Sequence, residues 1–137
     1  MADEECIPIE SEIDIVTARQ KGREMAARLG FSSIELTLIA TAISEVARNI
    51  VEYAREGEIS LRVVTQGDKR GIVVAACDNG PGIPDIKLAM QDGYSTGKSL
   101  VLGLPGAKRL MDEFEIVSEV GKGTKVTMKK WVQNHAR

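Results

Sequence analysis

The apolar run Ile72-Val73-Val74-Ala75-Ala76 leads into Asp78-Asn79-Gly80-Pro81-Gly82-Ile83-Pro84-Asp85, and this junction constrains the chain more than any other segment. A short continuous apolar run bounded by turn residues reads as a buried strand. A carboxylate at its end, followed by two glycines spaced by a proline, is a poor way to build a plain turn. It is a good way to hold a flat ring. Gly80 and Gly82 let backbone approach where a Cβ would clash, and Asp78 can accept hydrogen bonds from an exocyclic amine. The segment is a candidate purine-binding loop. What remains is whether the chain supplies a metal site, a phosphate clamp and a base.

Size and composition narrow the alternatives. A chain of 137 residues is expected to form a single domain, 1–137, with one real core. At 43% apolar residues, disorder is not expected. Charged residues are 28% with a net charge of −2, and neither sign runs in blocks. Without a basic stripe, and with few aromatics to stack on bases, nucleic acid is not an expected partner. No apolar segment approaches the ~20 residues of a membrane span. The opening Met1-Ala2-Asp3-Glu4-Glu5 is the opposite of a signal-peptide start, so a cytoplasmic protein is expected. Cys6 and Cys77 lack metal-type spacing and read as buried free thiols.

Periodicity places the elements. Residues 6–9 form a short extended segment that Pro8 confines to an edge or a strand start. Apolar residues recur at helical spacing over 13–29, and Gly30 stops that helix. Ser32 and Ser33 offer caps for a longer helix reaching about residue 54. Strands are predicted at 59–63 and 72–76 around the turn 67–71. A short helix is predicted over 86–90, then a glycine- and serine-containing stretch over 92–103. Another short helix opens at Pro105, and strands 115–119 and 124–132 flank the turn 121–123. This order predicts an α+β two-layer sandwich, its sheet mixed but mostly antiparallel, with the helices on one face.

Glu45 and Asn49 are four apart on the second predicted helix, so they share a face. They fall at the margin of the apolar stripe Ile39, Ile43, Val46 and Ile50. Polar side chains there need partners. Taken alone, the pair would simply tie the helix to a loop; beside the Asp78 loop it acquires chemistry. Asn49 offers an amide oxygen to Mg²⁺, a hard ion that keeps water and phosphate oxygens in its other positions. Glu45, one turn earlier, is a candidate to orient or deprotonate a nucleophile approaching a terminal phosphate. Gly97, Lys98, Gly103 and Gly106 belong to a segment whose amides and ammonium would close over phosphates, with Gly106 and Ala107 opening a helix whose exposed N–H groups favour anions. Thr124 can place a hydroxyl near the base. The run from Gly93 to Ser99 imitates a phosphate loop, but it has three residues between the glycines and follows a helix end rather than a strand. It is rejected as one.

Glu45-x-x-x-Asn49, Asp78-x-Gly80-x-Gly82 and the later glycine segment resemble the boxes of the GHKL ATPase/kinase superfamily. Thr41-Ala42-Ile43-Ser44-Glu45-x-Ala47-Arg48-Asn49, the 78–85 loop and the run from Gly103 through Phe114 look like the RsbT-type switch serine/threonine kinases, as does Asp14-Ile15-Val16-x-Ala18-Arg19-Gln20. The resemblance covers nearly the whole chain. It implies the Bergerat-type ATP-binding fold, ATP and Mg²⁺ as cofactors, Glu45 as catalytic base, and Asn49, Asp78, Gly80, Gly82, Ile83, Gly97, Lys98, Gly103, Gly106 and Thr124 at the nucleotide. It also implies STAS-domain proteins of a stressosome, scaffold and antagonist, as phosphorylated partners, and a phosphatase or cyclase as downstream effector. The alternatives are an anti-sigma factor that phosphorylates its own antagonist, and a non-catalytic adaptor.

The departure from the family lies in 98–102. Relatives usually carry several glycines there, whereas Lys98-Ser99-Leu100-Val101-Leu102 is bulkier and can form a partner-facing patch. Other residues take plainer readings. Trp131 is expected to pack at the core or edge, Met25, Met90 and Met111 to fill core gaps, and Arg19, Arg23 and Arg28 to form a solvated face. His135 lies in a polar tail and is not expected to accept phosphate.

Overall fold

Side-chain alternation along five strands decides which way the sheet faces, and the helices follow from it. The computed structural model describes residues 4–90 and 103–133. Strands β1 (Glu4–Ile9), β2 (Gly57–Gln66), β3 (Lys69–Asp78), β4 (Glu113–Glu119) and β5 (Gly123–Trp131) form one sheet in the order β1-β2-β3-β5-β4. The mostly antiparallel sheet expected from the sequence is antiparallel at every junction of these strands. Ile7, Ile59, Ala76, Val126 and Ile116 fall in one register row; Leu61, Val74, Met128 and Phe114 fall in the next. These rows build the core. Rows offset by one residue, such as Pro8, Glu58, Cys77, Lys125 and Val117, carry exposed or half-buried side chains, as the period of two requires.

Helices α1 (Glu12–Leu29) and α2 (Ser33–Asn49) pack on each other and against the sheet, completing the two-layer sandwich. Ser32 starts α2 through a reciprocal cap: its Oγ accepts from Glu35 N–H at 3.1 Å, and Glu35 Oε1 accepts from Ser32 N–H at 2.9 Å. α1 begins one residue earlier than the periodicity predicts, because Asp14 Oδ2 accepts from Ser11 N–H at 3.1 Å and holds the first turn. The expected stripe of Ile39, Ile43, Val46 and Ile50 is at most 2% exposed. Each such side chain contributes roughly 1.5–3 kcal/mol on burial. That fixes the rotation of α2, and with it the height at which Glu45 and Asn49 sit over the end of the sheet.

The last turn of this helix is not α-helical. Ile50–Ala54 is a π-helical turn, closed by Arg55 N–H donating to Ile50 O at 2.7 Å. The helical extent to residue 54 was legible; the widening was not, since no propensity rule encodes it. Arg55 then takes φ 75° and ψ −41°, a sparsely populated region for a residue with a Cβ. Two short helices, α3 (Ile86–Ala89) and α4 (Leu104–Leu110), complete the described elements.

Some expectations need correction or placement. Cys6 is not buried: it lies on the outward row of β1 and is exposed, while Cys77 is half-buried, and both thiols are free. Burial, foremost, raises the Cys77 thiol above its usual range, with Lys125 opposing it. Met25 and Met111 are core residues, and Met90 is half-buried against the core. Trp131 packs at the sheet end, its Nε1 donating to Glu113 Oε2 at 2.8 Å and Lys69 Nζ lying 5.4 Å from the ring centre. Arg23 and Arg28 are exposed and Arg19 half-buried. Gly97, Lys98, Leu100, Val101, Leu102 and His135 lie outside the described residues. Among the described residues, no helix is long and apolar enough to cross a membrane.

Arg55→Gly is expected to stabilise the fold by about 1 kcal/mol, because relief of strain outweighs the added chain entropy. A urea-denaturation midpoint that falls in the variant would contradict this.

Candidate functional site

Asp78 ends β3 with a neighbour on each side, Gly57 in β2 and Thr124 in β5. Its Oδ1 accepts from Gly80 N–H at 2.9 Å and from Thr124 N–H at 3.3 Å. The first bond is an Asx-type turn that folds the loop back over the strand end. The second reaches across to the neighbouring strand. Together they fix one carboxylate oxygen and so orient the other.

The loop that follows is clamped to the β4–β5 hairpin. Ser118 Oγ accepts from Ile83 N–H at 2.7 Å, donates to Gly123 O at 3.1 Å, and lies 2.8 Å from Thr124 Oγ1. Gly121 N–H donates to Pro81 O at 2.9 Å. Between these two ties the backbone of Gly82 presses on the hairpin. It has φ 80°, and a Cβ there would strike Glu119 O and Val120. Glycine is required at this position twice over, by torsion and by space. Gly80 is similarly close to Ala54, and Gly123 to Asp78 O.

On the helical side, Asn49 Nδ2 donates to Glu45 O at 3.0 Å, which sets the amide plane, and its Oδ1 is buried. The Glu45 carboxylate sits 3.8 Å from Arg48 across one turn. Gly103, the N-cap of α4, lies directly against it: a Cβ at Gly103 (φ 83°) would overlap Glu45 Oε1. Gly106 falls inside α4, with open space where a Cβ would point. Ala107, expected to present a free N–H, instead donates it to Gly103 O at 2.9 Å and is buried.

These parts border one open cleft. Asn49, Asp78, Gly82, Ile83 and Thr124 line it, together with Val46, Ile50, Tyr53 and Leu104. Apolar walls with a few convergent polar groups suit a small-molecule site. Glu45, Gly80, Gly103 and Gly106 are not among the lining residues; Glu45 and Gly103 meet each other, and Gly80 shapes the loop. The sequence reading missed Tyr53 and Ser118. Tyr53 stands four residues after Asn49, and the π turn carries it to the cleft. Burial, and secondarily Glu52, raise its phenol above the usual range. Ser118 follows Phe114 and Ile116 on the inner row of β4, and a hydroxyl on an apolar row was the available signal.

Residues 7–130 match the family model of the histidine kinase-like ATPase domain. The chain belongs to this family. It is 50% identical over 133 residues to the serine/threonine-protein kinase RsbT of Bacillus subtilis (strain 168), covering 97% of this chain and 100% of that protein. It is 34% identical over 121 residues to the anti-sigma F factor of Thermoanaerobacter sp. (strain X514), covering 84% and 83%. The solved structure of the RsbU and RsbW domains of a Mycobacterium tuberculosis protein superposes with a TM-score of 0.68 at 22% identity, which shows the fold; it covers 99% of this chain and 34% of that one. Within the family this chain is an RsbT-type, ATP-using serine/threonine kinase of the partner-switching kind.

Ser118→Ala removes the acceptor of the Ile83 amide. It is expected to cost about 1–3 kcal/mol and to speed exchange of that amide. Unchanged exchange at Ile83 would show that the clamp does not hold the loop.

Proposed function

We propose that the chain is a Mg-ATP-dependent kinase that phosphorylates Ser or Thr of STAS-domain proteins, scaffold and antagonist, in a stressosome-type pathway, and then binds a downstream phosphatase or cyclase. The observation that carries this reading is the convergence of Asn49, Asp78, Gly82, Ile83 and Thr124 on one cleft. The 50% identity to a serine/threonine-protein kinase over nearly the whole chain supports the reaction class.

In this reading each residue has a role. With Oδ1 held by two amides, Asp78 turns Oδ2 to the exocyclic amine of adenine. Gly82 and Ile83 give the ring a flat backbone edge, Gly80 shapes the loop that carries them, and Thr124 adds a hydroxyl beside it. The Asn49 amide, fixed by its bond to Glu45 O, supplies the kind of neutral oxygen that magnesium accepts, and so fits such an ion. When bound, the ion would neutralise charge on the phosphates. Glu45 takes the proton of the attacking hydroxyl as its oxygen bonds to the γ-phosphorus and the bond to the β–γ bridging oxygen breaks, releasing ADP. Gly97, Lys98, Gly103 and Gly106 are assigned to the phosphate end of the nucleotide.

Glu45→Ala is expected to lower phosphoryl transfer by about 10²-fold or more while leaving nucleotide binding in place. Asp78→Asn is expected to weaken ATP binding and abolish transfer. Labelled ATP with a purified STAS protein measures the first effect and calorimetry the second; full transfer in either variant rejects the assignment. The 34% identity to an anti-sigma F factor favours one further reading, in which the chain seizes a sigma subunit. Copurification of such a subunit would support that reading over the first.

A further inference from the structure

Lys130 lies on the inner row of β5, in line with Thr124, Val126 and Met128 and opposite Ile72 in β3. It is 8% exposed, in a position where alternation calls for an apolar side chain. A buried ammonium needs compensating partners. Its Nζ donates to Leu110 O, the last residue of α4, at 2.9 Å, and lies 4.0 Å from Asp112 Oδ1. Asp112 is itself pinned, its Oδ2 accepting from Trp131 N–H at 2.8 Å and its N–H donating to Lys129 O at 2.9 Å. A cation on the terminal carbonyl of a helix is favourably placed, because that carbonyl has no partner within the helix.

The other end of α4 matters for chemistry. Gly103 rests against the Glu45 carboxylate, and Leu104 walls the cleft. α4 is a short rod, Leu104–Leu110, packed on α2. We propose that Lys130 is a positioning residue for phosphoryl transfer: by anchoring the C-terminal carbonyl of α4 to β5, it holds Gly103 on the base Glu45. Lys130 is not among the residues that line the cleft. It acts through α4, at the Glu45 end of the site. The purine end is held separately by the Asp78 bonds and the Ser118 clamp, neither of which involves α4. The inference rests on the kinase reading given above.

The test compares Lys130→Met, which keeps length but loses charge and donor, with Lys130→Arg, which keeps both. The expected result for Lys130→Met is a fall in kcat of about tenfold or more, the scale of a displaced positioning group. Its ADP affinity should fall by less than kcat does, because the Asp78 bonds and the Ser118 clamp hold the purine end without α4. Exchange of the 107–110 amides should rise about tenfold, and Lys130→Arg should recover most of both losses. The readouts are transfer from labelled ATP to a purified STAS protein, ADP calorimetry and amide exchange of the full chain. A kcat within twofold of wild type, or equal losses in kcat and ADP affinity, overturns the proposal. If Lys130→Met does not fold, Asp112→Asn takes its place, with a smaller loss of kcat that again exceeds any loss of ADP affinity expected and the same outcomes overturning it. A wild-type chain that phosphorylates no STAS protein overturns the kinase reading instead; the exchange rates of α4 then decide the anchor alone.

Discussion

The bond from Thr124 N–H to Asp78 Oδ1 joins the end of the central strand to its neighbour, and the site is arranged around it. A carboxylate at a strand end would ordinarily turn to solvent. Here one oxygen is committed to two backbone donors, so the side chain is oriented before any ligand arrives. Such an arrangement lowers the ordering cost of binding, because the recognising group has little freedom left to lose. It also demands room. Gly57 on one side and Gly123 on the other let the flanking strands close up where any Cβ would collide with the β3 backbone at 77–78.

Two other ties complete the frame, and they act on different ends. The Ser118 clamp fastens the 80–83 loop to the β4–β5 hairpin, so that loop and hairpin move as one body. The Lys130 contact fastens α4 to the far end of the same β5 strand. β5 thus carries Thr124 and Val126 in the cleft wall and Lys130 beneath the helix that reaches Glu45. One strand indexes the purine end and the base end of the cleft to each other.

Much of this was legible from residue order. Alternation gave the strands, the 3.6-residue stripe gave α2 its buried face, and the Ser32 cap gave α2 its start. The Asp78 loop announced itself through glycines that no ordinary turn requires. What stayed hidden has physical reasons. Ser118 and Lys130 have their roles only because distant segments meet, and in the sequence each is a polar residue in an alternating strand. Tyr53 reaches the cleft through a π turn that propensity does not encode. Cys6 was misjudged because its row on β1 faces outward, which a single short strand with a proline cannot reveal. The expected anion-binding role of the Ala107 amide failed because the helix starts earlier than Pro105 implied, and the turn uses that N–H itself.

The π turn at Ile50–Ala54 has a bearing on how the chain tolerates change in length. A turn closed by an i→i+5 bond holds one residue more than an α turn over the same rise. Removing any single residue from it would let the helix continue regularly, swinging Tyr53 by about 100° around the axis and shortening the approach to β2. Gly57 would then slip against Asp78, and every later pairing in β2 would show its other face to the core. The spacing between the Asn49 amide and the first residue of β2 is therefore a fixed gauge, and natural variation in length should be found at the 67–68 turn instead.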